Sequence, residues 1–169
     1  MRATEVLADG FGRVKENVHA VLDGIEELRL SWQPAPGANT IAWLVWHLAR
    51  VQDAQIADVA GTDQIWTSQG WYERFALPFP PSASGYGQSP DDILRVVGPA
   101  DLLLGYYDAS HDATIEYLAR VGDGDLDRVI DDNWDPPVTL GVRLVSILDD
   151  DAQHVGQAAY LRGLNVDLG

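Results

Sequence analysis

The 169-residue sequence contains no cysteine. Disulfides, thiolate metal ligands and a cysteine nucleophile are therefore excluded, and any thiol chemistry must use a thiol brought by a co-substrate. Basic residues are scarce: 11 Lys and Arg stand against 26 Asp and Glu, for a net charge of −15. Phosphate backbones and anionic membrane surfaces both need a positive field, so neither nucleic acid nor membrane is an expected partner. No apolar run is long enough to span a bilayer. The opening MRATEVLADGFGRVKENV lacks the uninterrupted apolar core of a signal peptide, which makes a cytoplasmic location the expectation. A glycine-rich phosphate loop and a Gly-x-Ser-x-Gly nucleophile motif are also missing. Gly85-Tyr86-Gly87 is a turn signal only.

What is present is globular, with 46% hydrophobic and 22% charged residues. The length suits one domain over 1–169 with a sizeable core. Four segments carry apolar residues at helical spacing. The first runs from residue 4 to about 30, with Leu7, Phe11, Val14, Val18, Val21, Leu22, Ile25 and Leu28 inward. Pro34, Pro36 and Gly37 then break the chain. Asn39 or Thr40 caps a second helix that ends near Gly61 and carries His47 on the flank of its stripe. Ser89-Pro90-Asp91-Asp92 is a strong helix start that Gly98-Pro99 soon interrupts. A third long helix covers Asp101 to Val121. The piece DLDRVI reads as short extended or helical structure, and the fourth helix spans Thr139 to Gly163. The expected fold is all-α: a four-helix bundle with a long aromatic loop between helices two and three. That loop, residues 62–88, holds Trp66, Trp71, Tyr72, Phe75, Leu77, Phe79 and Tyr86. Its length and aromatic content fit either a pocket wall or a plug over the core.

The fourth helix holds the conflict from which function can be read. Leu140, Leu144, Ile147, Leu148, Val155, Ala158 and Leu161 form its apolar stripe, but Asp149, Asp150, Asp151 and His154 interrupt it. Carboxylates beside an apolar face cost free energy unless something pairs with them. Asp150 and His154 stack four residues apart, and His47 lies at the margin of its own helix. Two imidazoles and one carboxylate make a three-ligand set that suits catalytic zinc and also non-haem iron(II). Asp151 lies nearer the centre of the stripe and is the alternative ligand. A buried His–Asp hydrogen bond without metal is the plain structural reading. Acid-x-x-His spacings also occur at Glu16/His19, Asp108/His111 and Asp151/His154, as in di-iron bundles. Glu16, His19 and Asp108 point away from the core, which argues against that site. His111 reads as a half-buried structural histidine. Any shared cation requires imidazole nitrogens of His47 and His154 within about 7 Å of each other.

The stretches NTIAWLVWHLARVQD and LDDDAQHVGQAAYLRG, the latter with His154-Val155-Gly156-Gln157, resemble the DinB-like superfamily. They look most like its mycothiol transferase and mycothiol-dependent maleylpyruvate isomerase branch, and the likeness spans nearly the whole chain. The resemblance implies a four-helix bundle, often a homodimer, with a divalent metal held by one histidine of helix two and two residues four apart in helix four. Those positions here are His47, Asp150 and His154. Many members have a third histidine where this chain has Asp150, and the isomerase branch uses a carboxylate there. The resemblance implies zinc first, with nickel or iron as alternatives, and mycothiol as co-substrate for attack on a small electrophile. Arg143, two turns before Asp150, would meet an anionic substrate group, and Trp134 would help wall the site. Three functions follow: a metal-dependent thiol S-transferase, a thiol-dependent isomerase of a small unsaturated acid, or a non-enzymatic stress or interaction protein on the same bundle.

Overall fold

The computed structural model describes residues 1–165; residues 166–169, the end of the expected domain, lie outside the described residues. The elements in order are α1 (Ala3–Leu22), α2 (Glu27–Ser31), α3 (Ile41–Ala60), α4 (Ile65–Ser68), α5 (Trp71–Phe75), α6 (Pro90–Ile93) and α7 (Ala100–Arg120). A 3-10 turn (Asp123–Asp127), β1 (Val129–Asp131), β2 (Val138–Thr139) and α8 (Leu140–Gly163) complete the chain. The four long helices form a bundle in which α1 and α3 each pack against both α7 and α8.

Pairwise contacts fix the helix directions. Gly10 abuts Leu148 while Arg162 reaches the carbonyls of Val21 and Asp23, so α1 and α8 run parallel. Gln52 meets Thr114 and Tyr117 meets Val59, so α3 and α7 also run parallel. Asp58 pairs with Arg143 and His47 lies beside His154, which makes α3 and α8 antiparallel. Two parallel neighbours of 20 and 21 residues need a connection that travels back along about 30 Å of helix. Residues 61–99 supply it, which is the physical reason for the long aromatic segment. That segment buries Trp66, Trp71, Phe75 and Leu77 against Trp46, Tyr106 and Tyr107 of α3 and α7. A second apolar cluster, with Phe11, Ile56, Leu118, Leu140, Leu144 and Ile147, fills the other end.

Local chemistry accounts for most boundaries. The Thr40 hydroxyl accepts from the Trp43 amide at 3.1 Å, and Gly61 ends α3 with φ of 67°. Thr139 caps α8 in the same way. Ser89 and Asp92 form a reciprocal capping box at α6. The first helix is shorter than expected. It stops at Leu22, because Gly24 turns the chain with φ of 59°, and Leu28, expected inward, is 63% exposed. The DLDRVI piece is both helical and extended: the 3-10 turn leads into β1, which pairs antiparallel with β2. Among the described residues, no helix is long and apolar enough to cross a membrane.

Candidate metal centre

The antiparallel seam of α3 and α8 brings His47 opposite Asp150 and His154. One ligand atom from each lies within 4.8 Å of the other two, and the imidazole centroids are 4.7 Å apart. The distance requirement for a shared cation is met.

Hydrogen bonding fixes which nitrogen each histidine offers. His47 Nδ1 lies 2.5 Å from the Ser84 carbonyl oxygen, and His154 Nδ1 lies 2.8 Å from the backbone carbonyl of Asp150. A carbonyl only accepts, so both Nδ1 atoms carry the proton and both Nε2 atoms keep a lone pair. This is the arrangement by which ligating histidines are oriented in metal sites. The Asp150 carboxylate adds a third acceptor. Its Oδ2 is buried without a hydrogen-bond partner among the described residues, and its Oδ1 is 3.7 Å from His154 Nδ1, too long for a good bond. Burial pushes the pKa of His47 below the ordinary imidazole value, against the pull of the Ser84 carbonyl. A neutral imidazole is the form that binds metal. Two imidazole lone pairs and an orphaned carboxylate oxygen fit a divalent cation in both number and type.

The surroundings are tight. Trp43 stacks on His47 at 4.5 Å with 14° between the rings, and its indole N–H donates to Gln88 Oε1 at 2.7 Å. Gly85 passes so close that a Cβ there would stand 2.6 Å from His47 Nδ1, and its φ of 99° suits glycine alone. The aromatic segment thus contributes both a core plug and, at Ser84 and Gly85, a backbone strap across the back of His47.

The two neighbouring acids on α8 occupy different surroundings. Asp150 joins the cluster. Asp151, 100° further round the helix, is fully buried, and neither of its oxygens has a partner among the described residues. Burial, reinforced by Asp150, raises its pKa well above the usual carboxylate range. Arg143 has its guanidinium 3.7 Å from Asp58 and 3.9 Å from Asp131, between α3 and the hairpin. Trp134 sits in the hairpin connection, 67% exposed. His19 pairs with Asp108 at 2.8 Å across α1 and α7, and His111 is buried nearby. Sequence reasoning passed over Arg50, a cation buried one turn beyond His47, together with Ser84 and Gly85. An arginine inside the apolar run of α3 was the available signal; the strap residues carry none.

A family model described as the DinB superfamily matches residues 11–158. The chain belongs to the DinB superfamily. Among solved structures, this DinB protein is similar to a crystal structure described as the conserved protein of a locus from Enterococcus faecalis. The two share 37% identity over 96% of each chain, with a TM-score of 0.90. No curated protein matches.

Proposed function

We propose that this DinB protein is a metal-dependent S-transferase that uses a low-molecular-weight thiol, mycothiol, against small electrophiles. The observation that carries the reading is the convergence of three acceptors, from His47, Asp150 and His154, in a chain that has no thiol of its own. The choice of mycothiol rests on the likeness of the His47 and His154 stretches to that branch. His47, Asp150 and His154 would hold the ion, with zinc the first expectation. When bound, a divalent cation supplies the Lewis acidity that lets a thiol ionise near neutral pH, and the thiolate is the nucleophile.

The chain's own groups do the rest. Ser84 and the Asp150 backbone hold both imidazoles with Nε2 presented. As ligands, two neutral imidazoles and one carboxylate would leave a divalent centre net positive and would favour anionic sulfur. The Trp43 face over His47 keeps one side of the site apolar. In transfer, the sulfur lone pair forms the new bond to carbon, the leaving group departs with its bonding pair, and the thiol proton passes to solvent.

The test is metal analysis of protein purified without an affinity tag, followed by mycothiol conjugation to a halogenated electrophile. The expected result is bound divalent metal, net thiol consumption by wild type, and none by His154→Ala. Turnover of an unsaturated acid with thiol regenerated would instead indicate the isomerase. Absent metal together with unchanged activity in His154→Ala would overturn the reading.

A further inference from the structure

We propose that Arg50 is a positioning residue for the metal centre: its guanidinium fastens the strap at residues 81–84 to α3 and so fixes the Ser84 carbonyl that sets the tautomer of His47. The consequence for metal binding rests on the function proposed above; the link from Arg50 to His47 does not.

Arg50 lies on α3 three residues after His47, is 1% exposed, and satisfies all five of its N–H donors. Nε donates to the Ala83 carbonyl at 3.1 Å. One terminal nitrogen reaches Tyr106 Oη at 3.0 Å and Asp53 Oδ2 at 3.4 Å; the other reaches Gln64 Oε1 at 2.9 Å and the Pro81 carbonyl at 3.3 Å. Its plane also lies over the Trp66 ring at 5.0 Å. Two of those acceptors, the carbonyls of Pro81 and Ala83, belong to the strap. The next carbonyl along, that of Ser84, is the one His47 uses. Beyond it, Gly85 touches the imidazole and Gln88 is held by Trp43. The strap is thus clamped on both sides of His47, by Arg50 before it and Trp43 after it.

Why an arginine is needed follows from its shape. A planar fork can bond carbonyls of the strap, an amide of the α3–α4 connection and a tyrosine of α7 at once, whereas a lysine offers three donors from one point. Without a fixed acceptor at Nδ1, a neutral imidazole populates both tautomers. The form with its proton on Nε2 has no lone pair there to give a metal.

The decisive measurement is the imidazole tautomer in metal-free protein at about pH 8, where an ordinary histidine is neutral. Long-range proton–nitrogen correlation spectra resolve it, and with four histidines in the chain the His47 signal is assigned by its loss in His47→Gln. Wild type is expected to show only the Nδ1–H form. Arg50→Lys keeps a charge beside Asp53 but cannot span the strap; it is expected to show both tautomers and about tenfold or more weaker Co2+ binding. Tyr106→Phe removes an acceptor of the same guanidinium and leaves the strap bonds alone; it should lose stability while keeping the tautomer and the Co2+ affinity. A folded Arg50→Lys with His47 wholly Nδ1–H overturns the proposal. A wild-type measurement stands beside it in case that variant fails to fold. If the strap opens as a unit, the Arg50 Nε–H and His47 Nδ1–H protons exchange with the same protection, and unequal protection overturns the link. Failure of wild type to bind Co2+ overturns the metal reading, and the tautomer and exchange results still judge Arg50.

Discussion

Two clusters of buried polar side chains lie one helical turn apart on α3, and they are built on opposite terms. Around Arg50 and Asp53, donors and acceptors balance. Asp53 takes the amides of Ile65 and Trp66 at 2.8 Å each, and also the Tyr106 hydroxyl and Arg50. Around His47 three acceptors converge, one each from His47, His154 and Asp150, and Oδ2 of Asp150 is buried with no donor among the described residues. A balanced network is complete within the chain and calls for no ligand of its own. An excess of buried acceptors costs free energy until a cation joins it, so it is the mark of a binding site.

The comparison breaks first at Asp53. Asp53→Ala leaves the Arg50 charge buried beside an empty place and strips two amides of α4, so it should cost about 3–5 kcal/mol by urea unfolding. In metal-free protein, Asp150→Ala removes a carboxylate whose Oδ2 has no donor among the described residues, and its cost should stay within about 1 kcal/mol. Equal losses at the two aspartates would remove the distinction between the clusters.

Next in size is the response to metal. Free Zn2+ at about one hundred times its dissociation constant should stabilise the wild type by about 2.7 kcal/mol, a rise in Tm of about 5–10 °C for a chain of this length. The rise should vanish in His47→Ala and His154→Ala and persist in Asp53→Asn. Calorimetry with and without chelator measures it.

Proton linkage sharpens the picture at Asp151. Its folded-state pKa lies well above that of the unfolded chain, so the native protein keeps a proton that the unfolded chain releases above about pH 4. Its stabilising contribution is present below that pH and is lost as pH rises toward the folded value. Metal-free Asp151→Asn should therefore gain on wild type by about 1.4 kcal/mol per pH unit across that window. The lowered pKa values of His47 and His111 act with the opposite sign: stability falls as pH drops from about 6.5 toward their folded values. Parallel stability–pH curves for wild type and Asp151→Asn would show that Asp151 is ionised in the folded state.

How much of this could be read from residues alone depended on the range of the interaction. The ends of α3 are local chemistry, a threonine cap and a glycine in the left-handed region, and both stand at the expected positions. The margin placement of His47 and His154 is helical periodicity, and it correctly brought two helices together. The end of α1 was missed because Ile25 and Leu28 continue its apolar period, and only the conformation of Gly24 breaks it. The strap was out of reach for another reason. Ser84 meets His47 from 37 positions away through a carbonyl that every residue type possesses. Arg50 was legible as an anomaly, a cation within an apolar run, but its partners were not.

The smallest expected effect tests whether a well-formed His–Asp contact is enough to make a site. His19 and Asp108 approach to 2.8 Å, closer than the 3.7 Å between the His154 and Asp150 side chains. By distance alone, the pair on α1 and α7 is the better one. Yet His19 is only half-buried, with 44% of its side chain accessible, Asp108 also has Lys15 at 3.3 Å, and water screens what remains. The carboxylate is therefore satisfied, and nothing there calls for a cation. His19→Ala should change stability by less than about 1 kcal/mol and leave Zn2+ binding unaltered by calorimetric titration. A loss of metal affinity in that variant would mean that the acceptor excess at His47 is not what recruits the ion, and that the tighter contact on the opposite side of the bundle takes part.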